Sequence, residues 1–393
     1  MDTRRIAVFI AGAAAFATLY APQSLLPVLR PWLGGHAMLA GLVVSAATFG
    51  VAVGAPWMGR LGDRLGRRRV IVSAAFAAAV PTLAIASAQS ALQMVTARFV
   101  EGLTLPGIFA VTVAYITDVW PAQQARSVTG LYVSGTIFGG FSGRLIAGMV
   151  AEVAGWRCAF LVLALMQVLF ALALWRWLAP DPPKDRAAAT RRAPPLLQLL
   201  AIPALRGVYV AGFAILFALV GGFTYISLTL AQAPYHLGPA ALSAMFTVYI
   251  VGGLLAPVSG PVLNALGHTR MLTLAWTVAI GGLLLTLLPE LPMIIAGLCL
   301  FSAGLFLAQT TATTFVGEAV PAARGAAVGL YVTSYYIGGS IGGVLPAPLW
   351  AHAGWPAVVL LIAAAGALSV TAAWRSFGAP DATAALAAEG ATR

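Results

Sequence analysis

The chain has 393 residues, of which 61% are hydrophobic and only 8% charged, and its mean hydropathy is +0.93. Soluble domains carry about 25% charged residues, so a water-soluble globule is excluded and a polytopic membrane protein is implied. The formal charge of +11 is a matter of where basic residues fall around a bilayer and does not point to nucleic acid.

Crossing the hydrocarbon core as a helix takes about 20 apolar residues, and runs of that kind recur twelve times: 6–28, 37–58, 70–89, 92–118, 126–150, 156–178, 206–231, 241–263, 270–289, 292–317, 326–350 and 354–376. They are near-continuous, unlike the ~10-residue alternations of barrel strands. The expected class is therefore an all-α membrane protein with twelve transmembrane helices. Glycine and proline inside the runs are tolerated where neighbours re-satisfy the backbone.

The first run follows MDTRR and is longer than the ~7–15-residue core of a signal peptide. It is expected to stay as a span. Between the second and third runs lies GRLGDRLGRRR, 59–69, with one acid and five arginines. Gly59, Gly62 and Gly66 are expected to allow a compact turn with close backbone approach. Asp63 is then placed to face the positive end of a neighbouring helix.

Three charges fall well inside predicted spans: Arg98 and Glu101 in the fourth and Arg144 in the fifth. Each costs roughly 2.5–3.5 kcal/mol on insertion scales and is functional by default. Arg98 and Glu101 are three apart and share a helix face, and both arginines lie about six residues from the same end of their helices. The spacing predicts a polar cluster in which one or both arginines hold Glu101. Such a cluster serves either as a buried ion pair fixing two helices or as a switch coupled to protons or substrate. In the fifth run Gly135, Gly139 and Gly143 recur every four residues and predict close helix packing. Gly338, Gly339, Gly342 and Gly343 offer a comparable face on the eleventh. Opposed, the two faces would make a sliding contact.

The stretch 179–205, opening APDPPKDRAAATRRAPP, reads as a cytoplasmic linker. Within it LLQLLAIPAL, 196–205, is either a short interfacial helix or the start of the next span. With the N-terminus inside, 18 of the 22 Lys and Arg residues fall on the inner side, so the positive-inside rule places both termini in the cytoplasm. Cys158 and Cys299 lie in separate spans and suggest no disulfide; His36, His236, His268 and His352 lie at span ends or loops and form no metal cluster.

The chain repeats itself. TGLYVSGTIFGGFSGRLIAG (129–148) aligns with VGLYVTSYYIGGSIGGVLPA (328–347) at an offset of 199, and Asp118, Pro121 and Gly155-Trp156 align with Glu318, Pro321 and Gly354-Trp355. The basic loop has an echo in GPVLNALGHTR, 260–270, where Asn264 replaces Asp63. Two pseudo-symmetric six-helix bundles follow, 1–178 and 206–393, joined by 179–205.

Six plus six helices with this loop resemble the major facilitator superfamily along essentially the whole chain. Gly59, Asp63, Arg64, Gly66, Arg67 and Arg68 match its G-x-x-x-D-R-x-G-R-R signature, and Arg98 with Gly102 match the R-x-x-x-G signature of helix 4. Pro22 and Pro27 are similar to the helix 1 signature of drug exporters. Gly135, Gly139, Gly143 and Gly148 are similar to the antiporter glycine signature, with Gly140 where proline is common. Within the superfamily the chain looks most like the acriflavine-sensitivity group of proton-coupled drug exporters.

The resemblance implies alternating-access transport of a small organic solute across a bacterial inner membrane, with protons as coupling ion. No cofactor, nucleic-acid partner or enzymatic activity is expected, and one chain holding both halves suffices as a monomer. A latch of Gly59, Asp63, Arg64 and Arg67, with Arg67 on Asp118 and Asp63 facing helix 11, is implied at the inner face. Its second-half echo has lost the acid, so the latch is expected on one side only. Tyr20, Gln23, Tyr225, Gln309 and Tyr335 lie on helices that border the central cavity in the family. Glu101 stands where the family commonly has an amide, and helix 1 lacks the acid of many proton-coupled exporters. The two-arginine cluster and the missing helix 1 acid favour an alternative, uptake or exchange of an organic anion.

Overall fold

A computed structural model describes residues 2–181, 196–258, 260–320 and 323–377. Pro321, the middle of the expected linker with Lys184, Arg186, Arg191 and Arg192, and the tail with Arg393 lie outside the described residues.

The described residues are helical throughout, without strands. In chain order the helices are α1 (Thr3–Ala17), α2 (Pro22–Trp32), α3 (Ala37–Leu65), α4 (Arg67–Ala86), α5 (Ala91–Val119), α6 (Ala122–Trp177) and α7 (Leu196–Ala201). There follow α8 (Pro203–Leu230), α9 (Pro239–Met245), α10 (Val248–Val258), α11 (Gly260–Leu285), α12 (Leu291–Ala319), α13 (Arg324–Val344) and α14 (Pro346–Ser376). Among the described residues nine helical stretches are long and apolar enough to cross a bilayer.

Several passes are joined without a loop. A straight helix of 56 residues, the length of α6, would run about 84 Å, far beyond a hydrocarbon core of about 30 Å. It folds at Gly155, where φ is 80°. Gly354 in α14 (φ 67°) is its counterpart in the repeat, and Gly66 (φ 98°) and Gly267 (φ 73°) form a second such pair. The two pairs lie where the sequence repeat aligns the chain, so duplication preserved the turns along with the spans. The 196–205 stretch resolves into α7 followed by α8 from Pro203.

The predicted first span, 6–28, is interrupted between α1 and α2. Pro22 has no N–H to give the carbonyl of Thr18, four residues back. Gln23 N–H turns instead to Tyr20 O at 3.0 Å, which leaves Leu19 O without its helical donor. The predicted eighth span, 241–263, is broken as well, into α9, α10 and the start of α11.

The expected compact turn needs only one of its three glycines. Gly59 and Gly62 lie inside α3, which continues to Leu65, because unbroken helix satisfies more backbone groups than a glycine-rich loop does in the same place. Gly66 makes the turn alone. A Cβ there would also lie 2.6 Å from Asp181 Oδ2.

Packing sorts the chain into two compact units. The first comprises Met1–Asp185, Val220–Thr247 and Gly339–Trp355; the second comprises Arg186–Leu219, Val248–Gly338 and Pro356–Arg393. Within the first, Gly135, Gly139 and Gly143 of α6 abut the carbonyls of Phe9, Ala13 and Ala17 in the α1 segment, so closely that an added Cβ would collide with backbone. The expected sliding partner, helix 11, is not what this face meets. The repeat explains why: within the second unit Gly338 of α13 abuts Phe213 O of α8 in the same manner, and Ser334 Oγ, one turn earlier, donates to Tyr209 O at 2.9 Å. Gly338 thus meets the first helix of its own half, whereas Gly343 abuts Gly41 and Ser45 of α3.

Gly66→Ala is expected to lower stability by about 1–3 kcal/mol, the cost of holding a side chain at a sparsely populated backbone conformation. Gly59→Ala, where an added Cβ meets nothing within 4 Å, is expected to leave the unfolding midpoint of the purified protein unchanged or raised.

Candidate functional site: a buried arginine cluster at a broken helix

The site lies within the first unit and starts from the two carbonyls that Pro22 leaves bare. In hydrocarbon an unsatisfied backbone carbonyl costs several kcal/mol. Arg98, on α5, supplies the missing donors: its Nη1 donates to Thr18 O at 3.2 Å and its Nη2 to Leu19 O. Its Nε donates to Val43 O of α3 at 3.0 Å. Nη1 also meets Glu101 Oε2 at 2.6 Å. Both side chains are fully buried, and among the described residues Glu101 Oε1 has no hydrogen-bond partner. Arg98 thus ties α1, α2, α3 and α5 together at the interruption, with Glu101 as counter-charge.

Arg144 does not reach Glu101 by any ion pair within 4.0 Å among the described residues; its guanidinium is directed to helix 1 instead. Nε and Nη2 both donate to Gln23 Oε1, at 3.2 and 2.7 Å. Nη1 donates to Gly140 O at 2.7 Å. The guanidinium carbon lies 4.5 Å from the ring centroid of Phe246 and 5.0 Å from that of Tyr20. Gln23 Nε2 in turn approaches Thr224 Oγ1 at 3.5 Å, and Ser24 Oγ donates to Arg144 O at 3.2 Å. The expected single cluster is therefore two adjacent arginine sites, both anchored on the interrupted first span. For Arg98 the physical reason is the break itself, which offers carbonyls that an intact helix would withhold; Arg144 takes the side-chain amide oxygen of Gln23 and Gly140 O of its own helix.

Of the expected cavity residues, Tyr20 and Gln23 are brought together with Arg144. Tyr225 is fully buried and donates to Gly343 O at 2.7 Å, next to the break between α13 and α14 before Pro346. It repairs backbone as Arg98 does. Gln309 and Tyr335 belong to the second unit and are half-buried there; Tyr335 stacks on Tyr331 with centroids 6.0 Å apart. Phe246, Thr224 and Ser24 were missed from sequence, since nothing local marks an aromatic or hydroxyl as the neighbour of an arginine a hundred residues away. Among the described residues no three His, Cys, Asp or Glu side chains gather as a metal site.

At the far end of α3 the basic motif makes a second constellation. Arg67 Nε meets Asp118 at 2.7 Å, at the end of α5, and its Nη2 lies 3.7 Å from Asp63. Asp63 is exposed and sits in the last turn of α3, where a carboxylate opposes its own helix dipole. Arg64 is exposed. Arg68 grips the end of α6 through Leu178 O and Trp175 O, both at 2.7 Å. Asp181 then accepts the Arg68 backbone N–H at 3.0 Å and caps α4, and Tyr115 donates to Ala179 O at 2.9 Å. The beginning of the linker is thereby fastened to the motif. Asp181 escaped the sequence reading because its partner lies more than a hundred residues away.

The echo of this loop keeps more than its sequence suggests. Within the second unit His268, the residue after Gly267 as Arg67 is the residue after Gly66, approaches Glu318 at 3.5 Å. Gly267, His268 and Glu318 thus stand as Gly66, Arg67 and Asp118 do. The aspartate is replaced by Asn264, and His268 Nε2 has no hydrogen-bond partner among the described residues, so the echo holds a weaker contact than that of Arg67 with Asp118.

Among the described residues, a bundle of apolar helices with charge buried at an interrupted span has the form of a multi-pass membrane transporter. The chain belongs to the Major Facilitator Superfamily, whose family model matches residues 8–343 and 212–392. It is 33% identical over 362 residues to the inner membrane transport protein YnfM of Escherichia coli K12, covering 91% of this chain and 86% of that protein. It is 30% identical over 353 residues to an uncharacterized transporter of Buchnera aphidicola from Schizaphis graminum, covering 89% and 85%. In fold it is similar to a bacterial homologue of the human lysosomal transporter Spinster, with a TM-score of 0.75 at 16% identity over 95% of both chains.

Arg98→Met is expected to cost about 3–5 kcal/mol by stranding a buried carboxylate, read as a lower unfolding midpoint in detergent. The double variant Arg98→Met/Glu101→Leu is expected to regain part of that loss, because no uncompensated charge remains.

Proposed function

We propose that this protein exports a small organic solute, a drug or metabolite, across a bacterial inner membrane by alternating access, in exchange for protons, in the manner of the acriflavine-sensitivity group. Both termini are cytoplasmic, the halves 1–178 and 206–393 rock about a site near the midplane, and 179–205 links them as a monomer. The observation that carries the reading is Glu101: fully buried, one oxygen on Arg98 at 2.6 Å and the other without a partner among the described residues. A proton delivered to that free oxygen cancels the charge that holds Nη1 of Arg98. Arg98 is then retained only by carbonyls of Thr18, Leu19 and Val43, two of which belong to the break in helix 1. Protonation is transmitted in this way to the one place where α1 and α2 can turn against each other.

The basic motif supplies the gate. Arg67 paired with Asp118 holds the end of α4 to the end of α5, and Asp63, placed against its own helix dipole, is directed to the positive end of helix 11. Together they steady the outward-open state and release as the inner side opens.

A second reading, uptake or exchange of an organic anion through the same fold, is favoured by one observation: Arg144, fully buried and flanked by two aromatic rings. Transport in proteoliposomes with and without a proton gradient separates the two.

Using a solute selected by thermal stabilisation from cationic dyes and organic anions, Glu101→Gln is expected to abolish gradient-driven movement while solute exchange at equal pH persists. Gradient dependence unchanged in Glu101→Gln would sink proton coupling through this residue. Asp63→Asn is expected to lower the outward-open population severalfold by distance measurements between spin labels on the two halves.

A further inference from the structure

The contact between Gln23 and Arg144 has the form of a bound ligand. One amide oxygen, Gln23 Oε1, receives two donors from the same edge of the guanidinium, Nε at 3.2 Å and Nη2 at 2.7 Å. Carboxylates bind arginine through that paired-donor edge, and charge-assisted bonds of this kind are about twice as strong as those to a neutral oxygen. The amide is a weaker occupant of a position suited to an anion. Arg144, Gln23 and Tyr20 are at most 6% exposed and Phe246 is 0% exposed, so the occupant sits in a dry environment where charge complementarity counts most.

Two further features bear on the ligand and on its access. The rings of Phe246 and Tyr20, with centroids 4.5 and 5.0 Å from the guanidinium carbon, set apolar surface beside the cation, against which a flat ring attached to the anionic group would pack. Gln23 occupies the first turn of α2, directly after the interruption at residues 18–21. Nothing in the helical ladder ties that turn to α1, so a small rotation of α2 withdraws the amide without unfolding a helix. Thr224 Oγ1, 3.5 Å from Gln23 Nε2, is the acceptor that keeps the amide oriented with its oxygen toward Arg144.

We propose that Gln23 is an internal surrogate for the substrate: its amide oxygen masks the Arg144 donor edge, and a planar organic carboxylate, an aryl carboxylate being the simplest case, displaces it. The inference rests on the reading that the solute binds at the Arg144 cluster, and it holds for either direction of transport. Gln23 is then a specificity-determining residue. Competition with it sets the affinity, and a neutral amide of the same shape gains nothing by displacing another amide.

The test uses the full-length protein in lipid nanodiscs with benzoate as probe and benzamide and benzylammonium as comparisons, read by calorimetry and by ligand-induced shift of the unfolding midpoint. Benzoate is expected to bind and the two comparisons are not. Gln23→Ala, which removes the mask, is expected to tighten benzoate binding about tenfold, roughly 1.4 kcal/mol. Gln23→Glu, which supplies a permanent carboxylate, is expected to abolish it while leaving the fold as stable as wild type or more so. Arg144→Gln is expected to abolish it too, and if that variant does not fold, the two Gln23 variants decide. Equal binding of benzoate and benzamide, or weaker benzoate binding in Gln23→Ala, overturns the proposal, the latter because a residue that merely shapes the site loosens it when removed. The outcome is separable from the transport reading: loss of gradient dependence in Glu101→Gln without any benzoate binding leaves proton-coupled transport standing and removes only the masked carboxylate site.

Discussion

Inside a bilayer every backbone polar group must find a partner within the protein, and in this chain one proline makes that rule decisive. Pro22 breaks the first span and strips Thr18 O of its donor, and the turn that follows strips Leu19 O. Arg98 makes good both losses from a different helix. A guanidinium buried for that purpose needs a counter-charge, which accounts for Glu101 three residues on. Much of the polar interior is a consequence of this sequence: a helix break requires a cation, the cation requires an acid, and the acid is left with one unused oxygen.

Arg144 takes one acceptor beside the break, the side-chain amide oxygen of Gln23, and another from Gly140 of its own helix. Had helix 1 continued through residue 23, Gln23 would belong to a rigid rod; because α2 starts anew at Pro22, its first turn presents Gln23 and Ser24 to α6 as a separate piece. Rigid contacts lie on either side of this movable element. The glycine face of α6 is locked to α1 backbone to backbone, and the basic motif is fastened to the end of α6 and to Asp181.

Duplication shows which parts belong to the frame and which to the special task. Gly139 against Ala13 is repeated as Gly338 against Phe213, and Arg67 with Asp118 is repeated, in weaker form, as His268 with Glu318. These are frame. The break in the first span has no counterpart in α8, which runs unbroken from Pro203 to Leu230, and the first unit's buried arginines serve that break.

Hydrophobic runs, basic-residue asymmetry and the 199-residue repeat determined by themselves that this is a twelve-helix transporter made of two related halves, because bilayer thickness and backbone satisfaction leave a chain of this composition few other folds. The identities of Arg98, Glu101, Arg144, Gln23 and Tyr20 were also legible, since charge in an apolar run and prolines in a span are conspicuous against their surroundings. Their partnerships were not. Which acceptor each arginine takes depends on carbonyls freed some eighty residues away, on Phe246 and on Thr224, and those meet only when the spans pack. Glycine faces were likewise visible as faces, while the helix that fills them was decided by tertiary contact, because a small-residue stripe specifies close approach without specifying to what.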